Sequence, residues 1–196
     1  MIEKSRLKII SYVIILFILS LLVLLIINKN FELVFYIVEI AVLTLIVIFY
    51  HKHLYLTRNI LFGLFLFAAL HILGVYIYIG DVRLYDFWII SNILKYDNIV
   101  HFIGSFVAAL IAYNLLFPYI DDKIKMKGIY LTLLLILIVS GVGAFNEILE
   151  LVGVIFFNAA KDVGGYMNNE FDLVFNLLGV LAASIYLVYY YKKDKK

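Results

Sequence analysis

Three pairs of polar side chains occur at helical spacing inside segments that are otherwise apolar. Residues three or four positions apart lie on the same face of an α-helix, so each pair projects as a unit. Ionisable side chains inside membrane segments are costly and are usually functional. We therefore interpret the pairs as parts of one site. The pairs are Asp97 with His101, Glu147 with Glu150, and Asp172 with Asn176.

The residue types indicate metal chemistry. Carboxylates combined with imidazole, without thiolates, suit a divalent metal such as zinc or manganese, and the chain has no cysteine. We expect His101, Glu147 and Asp172 to be metal ligands. Glu150 is the expected general base toward a metal-bound water, and Glu147 is the second catalytic candidate.

Four further residues are expected to support this site. Asp97 lies one turn from His101, so its carboxylate can orient the imidazole ring, and Asn176 supplies an orienting amide. His71 and Glu39 lie deeper in their own segments and have a secondary role. Other roles stay open, because Asp97 also suits a helix N-cap and the two deeper residues also suit helix packing.

The site holds more acid than the nearby fixed positive charge can balance. Five carboxylates face two imidazoles, and these segments carry no lysine or arginine near that level. Either the acids share protons or a bound cation neutralises them. Arg83 and Lys95, in a connecting segment, are placed to add positive charge from above. The five acids are Glu39, Asp97, Glu147, Glu150 and Asp172.

Membrane spans must position these side chains. The chain has 196 residues, of which 66% are hydrophobic and 15% are charged, a composition outside the soluble range. A span needs about 20 mostly apolar residues. We predict an all-α, polytopic transmembrane bundle of six spans that forms a single integral membrane domain. The predicted spans are 7–28, 31–50, 59–79, 98–119, 129–157 and 171–191.

Basic residues predict the orientation of these spans. Most of the 16 lysines and arginines fall on one side of the six segments, and cytoplasmic loops carry the excess of such residues. Both termini are therefore predicted to be cytoplasmic, with the chain a multi-pass protein of the cell inner membrane. The residues on the other side are Lys29, Arg83, Lys95 and Lys161.

This orientation places the polar residues at one level. With a rise of about 1.5 Å per residue, His101, Glu147 and Asp172 lie roughly 23 to 29 Å from the cytoplasmic ends of their helices. That level is near the extracytoplasmic face. Small residues below it, such as Gly143 and Gly179, permit close helix contact, so spans four to six are predicted to pack together.

Two connections are expected to lie over the site. Residues 80–96 are too short and too polar to cross the membrane twice, and their aromatic side chains suit a membrane interface. We predict a short interfacial or re-entrant helix there, on the outer face. The loop before the last span, with Asp162, Asn168 and Asn169, is expected to contribute a lid.

Three motifs resemble those of a known family: YDNIVHF at 96–102, NEILE at 146–150 and FDLVFNLLG at 171–179. In these the chain resembles the YjdF-like family of small inner-membrane proteins of undefined function. It is more distantly similar to VanZ-like proteins. The resemblance covers about residues 70–190 and implies the position of a site but no reaction. The implied site residues are Asp97, His101, Glu147, Glu150, Asp172, Asn176 and Gly179.

Three functions stay open at this point. The first is a metal-dependent enzyme that acts on a lipid or lipid-linked substrate, favoured because the polar loops are too short to form a soluble substrate domain. The second is a proton-coupled carrier with the acids as a relay, although the inner halves of the spans hold no acid or histidine. The third is a non-catalytic scaffold joined by a structural polar network. Membrane lipid is the expected partner, and the net charge of +2 does not favour nucleic acid.

Overall fold

The computed structural model of the chain describes residues 58–157 and 166–194, together with Leu19. Apart from that leucine, the first two predicted spans lie outside the described residues. Glu39 also lies outside them. These two spans and the supporting role of Glu39 therefore stay predictions.

The chain divides into two compact units, each of which has two segments. The main unit comprises Thr57–Glu147 and Gly165–Lys196. The second unit comprises Met1–Leu56 and Ile148–Gly164. Of the predicted site residues that the structure describes, only Glu150 belongs to the second unit.

Helices account for most of the described residues. Their bounds are Arg58–Tyr76 for α1, Tyr96–Leu116 for α2, Asp122–Met126 for α3, Gly128–Phe157 for α4 and Tyr166–Asp194 for α5. Within the described residues, α2, α4 and α5 contain the segments that are long and apolar enough to cross a membrane. The sequence predicts its last three spans at these places. The apolar part of α1, Phe62–Tyr76, is shorter than a usual span.

A proline ends α2 where the sequence predicts that the span should stop. The α-helix ends at Leu116 and a turn of 3-10 helix follows at Phe117–Tyr119. Pro118 lies in that turn, because its ring and missing N–H are incompatible with a continuing α-helix. The short helix α3 then begins after Asp121, whose side chain accepts a hydrogen bond from the backbone N–H of Lys123 at 2.7 Å.

Helix α5 begins at Tyr166, before the predicted start of the last span at residue 171. Asn168 and Asn169 therefore lie in the first turns of a helix and not in a loop, so their predicted placement in a lid was wrong. The prediction followed the apolar stretch, but a helix continues beyond its apolar part when its polar residues find partners. Asp162 lies outside the described residues.

The predicted interfacial helix at residues 80–96 was also wrong. Strand β1 (Tyr78–Ile79) pairs antiparallel with β2 (Val82–Arg83). After a short 3-10 turn, β3 (Trp88–Ile90) pairs antiparallel with β4 (Leu94–Lys95). We refer to residues 77–95 as the hairpin segment. It is a local departure from the all-α prediction within a mostly helical structure.

Turn residues explain why this segment forms hairpins. Gly80 and Asn92 have positive φ angles of 63° and 58°, a left-handed conformation that glycine and asparagine adopt more readily than other residues. The run Trp88–Ile90 consists of an aromatic and two β-branched residues, which favour strands over helices. Two tight turns flanked by such residues therefore outweigh the helical interpretation.

The most extensive helix contact in the described part joins α2 to α5. At Gly179 the two backbones meet, since a Cβ there would clash with the carbonyl oxygen of Phe102 and contact the side chain of Ser105. Small residues permit such close approach in membrane proteins. One stripe of α5 is buried by this packing. It consists of Asp172, Asn176, Gly179, Val180, Ala183, Ser184 and Leu187.

Helix α4 adds its own buried stripe to the main unit. Leu131, Leu135 and Val139 repeat every four residues and are at most 2% exposed. At the next turn, a Cβ on Gly143 would lie 2.9 Å from the amide nitrogen of Asn176. The glycine therefore lets α4 approach α5 at the level of that asparagine, as the sequence predicts for its last two spans.

Candidate functional site

Asp97, His101 and Asp172 come together near the N-terminal ends of α2 and α5. One possible ligand atom from each lies within 4.8 Å of those of the other two. Nε2 of His101 lies 3.5 Å from Oδ1 of Asp97 and 3.8 Å from Oδ1 of Asp172. The side chain of Asp172 is 1% exposed, whereas the other two are 15% exposed. We refer to these three residues as the acid–histidine cluster.

Helical spacing and close backbone contact together produce this cluster. Asp97 and His101 lie one turn apart on α2, so they share a face. Asp172 lies on the buried stripe of α5, and Gly179 on the same stripe brings that helix against α2. The side chains meet because both helices present these faces to each other near their N-terminal ends.

Asn168 holds both carboxylates of the cluster by one oxygen each. Its Nδ2 donates to Oδ2 of Asp172 at 2.7 Å and to Oδ2 of Asp97 at 3.1 Å. Its Oδ1 accepts from Nζ of Lys95 at 2.7 Å. The Oδ1 atoms of both acids are thereby directed toward His101. Each of these oxygens has two lone pairs and retains capacity for a further ligand.

Asn98 connects the start of α2 to the cluster. Its Oδ1 accepts from the backbone N–H of Lys95 at 2.8 Å, and its Nδ2 donates to Oδ1 of Asp172 at 2.9 Å. Because α2 begins at Tyr96, Asp97 lies within the first turn and is not the residue that precedes the helix. The alternative role of Asp97 as N-cap was therefore wrong, and it is the Asn98 side chain that reaches back to the helix start.

Asn176 lies one turn deeper than Asp172 and joins α2 to α5. Ser105 donates from Oγ to Oδ1 of Asn176 at 2.7 Å, and both side chains are buried. The sequence predicts Asn176 as the partner of Asp172. The structure instead pairs its oxygen with a hydroxyl on the other helix, so this amide supports the packing directly beneath the cluster.

Glu147 approaches the cluster from α4. One of its carboxylate oxygens lies within 4.8 Å of a ring nitrogen of His101. Both oxygens are buried and lack a hydrogen-bond partner among the described residues. The side chain of Asn169 is close to this carboxylate without meeting the geometry of a hydrogen bond. A buried acceptor in this situation calls for a functional explanation.

The predicted supporting residue His71 makes contacts other than those of the cluster. Nδ1 of His71 is hydrogen-bonded to the hydroxyl of Tyr85, and its ring meets the Phe67 ring edge-on with centroids 4.5 Å apart. His71 therefore connects α1 to the hairpin segment. Glu150 is half-buried in the second unit, and its role as general base stays a prediction.

The two cations that were expected above the site have different partners. Lys95 reaches the cluster through Asn168, and its ammonium group lies 5.4 Å from the centroid of the Trp88 ring. Arg83 donates from Nε to Oδ2 of Asp86 at 3.1 Å. The ammonium group of Lys95 is therefore linked to the cluster through one intervening side chain, that of Asn168.

Three partners of the site were missed or misplaced in the sequence, although their spacing signals them. Asn98, His101 and Ser105 follow an i, i+3, i+7 pattern, which is one polar stripe on an apolar helix. Asn168 stands four residues before Asp172, on the stripe that continues to Asn176. Extending each polar pair by one turn in both directions would have found Ser105 and Asn168, whereas Asn98 lies three residues before His101 on the same stripe.

The cluster geometry suits a small divalent cation. Two ligands of one tetrahedral zinc lie about 3.3 Å apart, because each bond is about 2.0–2.1 Å long. The distances of 3.5 and 3.8 Å from His101 to the two acids are slightly longer than this. They also exceed ordinary hydrogen-bond lengths. All three side chains would have to move inward to hold one ion together.

Comparison with curated proteins and with solved structures finds no match. A family model described as predicted membrane protein (DUF2238) matches residues 9–193. This is the YjdF-like family, and no specific similarity to VanZ-like proteins is supported. The match is wider than the resemblance at residues 70–190, since it includes the first two predicted spans. The chain therefore belongs to the DUF2238 family of predicted membrane proteins.

Proposed function

We propose that this membrane protein binds a divalent cation at Asp97, His101 and Asp172 and uses it to act on a lipid or lipid-linked substrate. One observation carries the proposal. The Oδ1 atoms of both acids face the same imidazole nitrogen, at 3.5 and 3.8 Å, while Asn168 holds both Oδ2 atoms. The donors are thereby oriented before any ligand binds.

Charge and donor type narrow the choice of cation. Two carboxylates and one divalent ion sum to zero, which removes the repulsion between the buried acids. The imidazole favours zinc or manganese over magnesium and calcium, which prefer oxygen ligands. Asn98 and Asn168 are the partners that fix the acids, a role that outer-shell groups have in metal sites.

A lipid substrate fits the surroundings of the cluster. The elements that carry the cluster, α2 and α5, contain apolar segments long enough to cross a membrane. The connection before α2 is the hairpin segment, which exposes several large apolar side chains. Neither feature resembles a pocket for a water-soluble metabolite, whereas a lipid head group can reach a site at the end of such helices.

Hydrolysis is the reaction that these residues support best. A cation held there would acidify a water and polarise the substrate, and Glu147 would accept the proton of the water that attacks the phosphorus or carbonyl carbon. The bond from that atom to the leaving oxygen breaks, and Glu147 returns the proton to the leaving oxygen. Glu147 takes this role because its oxygens are buried beside His101 without hydrogen-bond partners among the described residues.

The membrane arrangement belongs to the same proposal. Six spans, two cytoplasmic termini and an inner-membrane location place the cluster at the extracytoplasmic face. The absence of cysteine from the chain allows single-cysteine labelling. In intact cells, Asp81→Cys is expected to react with a membrane-impermeant maleimide, and Lys123→Cys only after permeabilisation. The reverse pattern contradicts the orientation.

Metal content tests the cation. Protein purified in mild detergent, stripped with a chelator and dialysed against Zn²⁺ or Mn²⁺ is expected to retain a stoichiometric amount by mass spectrometry. Asp172→Asn and His101→Gln are expected to lose it. Glu170→Gln removes an exposed carboxylate from the same helix and is expected to retain it. Equal metal content in all four proteins contradicts the proposal.

Turnover tests the substrate class and the base. Protein in vesicles is offered phosphatidic acid, with release of inorganic phosphate measured, or a diacylglycerol, with release of fatty acid measured. Glu147→Gln is expected to bind the cation and to lose turnover. If Glu147→Gln also loses the cation, the residue is a ligand, and its role as base is rejected.

One observation favours a structural network as a second candidate. Asp172 accepts hydrogen bonds from Asn98 and Asn168 and is thereby satisfied without a cation. Metal-free wild-type protein, with cluster variants that change only stability, supports this candidate. The carrier alternative is weakened because Asn114 donates its amide to the carbonyl of Leu110 on its own helix, so that residue does not extend a proton path inward.

A further inference from the structure

We propose that the hairpin segment, residues 77–95, lies in the head-group region of the membrane and contacts phospholipid through its exposed apolar side chains. The contact surface is defined by Ile77, Tyr78, Ile79, Val82, Trp88, Ile89, Ile90 and Ile93. This inference is independent of the proposed cation and of any reaction. It assigns a lipid-binding surface to a connection that does not cross the membrane.

The first argument is the exposed apolar area. Every residue of this surface is between 38% and 61% exposed. They are concentrated within a segment of fewer than 20 residues, whereas soluble proteins rarely expose contiguous apolar patches of this kind. Water is therefore an unfavourable neighbour for the hairpins.

The second argument is that strand pairing satisfies part of the backbone. Strand pairing joins Tyr78 to Arg83 and Trp88 to Lys95. Tyr96 also donates its backbone N–H to the carbonyl of Phe87 at 3.0 Å. Unsatisfied peptide groups are what exclude irregular chain from lipid. Paired strands reduce that cost enough for a position at the interface.

The third argument is how the segment is fixed to the helices. Tyr85 is buried, its ring lies where a Cβ on Gly74 would be, and its hydroxyl bonds to His71. Tyr96 donates its hydroxyl to the carbonyl of Leu70 at 2.9 Å. The contacts of Tyr85 fix the segment to α1, and the bond of Tyr96 fixes the start of α2, which directly follows the segment. Consecutive residues of β1 and β3 stay exposed, so apolar side chains project from both faces of these strands.

The fourth argument is composition. Tryptophan and tyrosine are enriched at membrane interfaces, and the segment contains both, with a lysine near the tryptophan. Nζ of Lys95 lies 5.4 Å from the centroid of the Trp88 ring, so the ammonium group is close to the apolar surface. Because Lys95 also bonds to Asn168, lipid phosphates that meet this lysine lie one side chain away from the acid–histidine cluster.

Trp88 supplies the test, because it is the only tryptophan of the chain. Full-length protein is reconstituted in phosphatidylcholine vesicles that carry bromine at a shallow or a deep position on the acyl chain. Trp88 fluorescence is expected to be blue-shifted relative to free tryptophan, poorly quenched by iodide, and quenched more strongly by shallow than by deep bromine.

A matched control places the probe deeper in the membrane. Leu137 is exposed on α4, near the middle of the predicted fifth span. In the Trp88→Phe, Leu137→Trp protein, deep bromine is expected to quench more strongly than shallow bromine. Wild-type fluorescence that iodide quenches freely and neither lipid quenches overturns the proposal. The proposal is also overturned if a second copy of the chain shields Trp88 from iodide and from both lipids. Cross-linking of the Ile93→Cys protein into a dimer would identify this case.

Discussion

The two halves of the α2–α5 contact use different means to hold the same pair of helices together. The half near the N-terminal ends contains buried polar groups, including Asp172 and Asn176. In the other half the described buried residues are apolar apart from Ser184, with Val107 and Ala183 as examples. Helix packing therefore succeeds without a polar network. The polar network at the N-terminal half contains the residues of the proposed cation site.

Gly179, between the two halves, is expected to give the largest effect. Gly179→Val forces a side chain into the carbonyl of Phe102 and separates the helices, and overpacking of this kind costs about 3 kcal/mol. Thermal unfolding in detergent measures the loss. Gly141→Val is the matched control, since nothing lies within 4 Å of a Cβ there. Equal losses in both variants contradict the close approach.

Cation-dependent stability at Asp172 comes next. Zn²⁺ at a hundred times its Kd is expected to stabilise the wild-type protein by about 2.7 kcal/mol, because only the folded state assembles the ligands. Asp172→Asn is expected to show no such gain, whereas Glu170→Gln behaves as wild type. Unfolding with and without chelator measures the difference. A gain in Asp172→Asn shows that this residue is not a ligand.

Asn98 tests the partners of the cluster. Asn98→Ala removes the donor to Asp172 and the acceptor at the helix start, and loss of such an outer-shell group lowers metal affinity about 10–100-fold. Isothermal titration with Zn²⁺ measures it. Asn114→Ala is the control on the same helix, because its amide bonds within α2. Similar affinities in the two variants remove Asn98 from the site.

A pair of serines gives the smallest effect. Ser105→Ala breaks the bond to Asn176, and interhelical hydrogen bonds in membrane proteins contribute about 0.6 kcal/mol on average. Ser184→Ala removes a buried hydroxyl that has no partner among the described residues, so its stability is expected to hold or rise. Denaturation in mixed micelles measures the unfolding free energy of both variants. A larger loss of stability in Ser184→Ala than in Ser105→Ala contradicts this prediction.

Much of the α-helical frame is accessible from the sequence because its signals are local. Apolar length predicts α2 and α4 closely, and the spacing of Asp97 with His101 predicts one half of the cluster. The hairpin segment was missed because turn residues such as Asn92 decide the local conformation, while its aromatic composition suits an interface in either form.

The hydrogen-bond partners were harder to predict, since they depend on contacts between distant parts of the chain. Asn168 meets Lys95 and Asp97 only because α5 begins earlier than its apolar stretch. Asn98 directly follows Asp97 in the sequence, but adjacent residues of a helix project in different directions, so its contact with Asp172 does not follow from that of Asp97. The hydrogen-bond partners of amides in an apolar helix become known only when the packing of the neighbouring helices is known.

The orientation of the Asn168 amide has an evolutionary consequence. Lysine only donates and carboxylates only accept, so with Lys95 on one side and Asp97 and Asp172 on the other, a side chain carrying both functions on one short stem is required. Aspartate lacks the donor and leucine lacks both. In related sequences, a substitution at position 168 is therefore expected to be accompanied by one at position 95. An alignment in which the two positions vary independently would contradict this expectation.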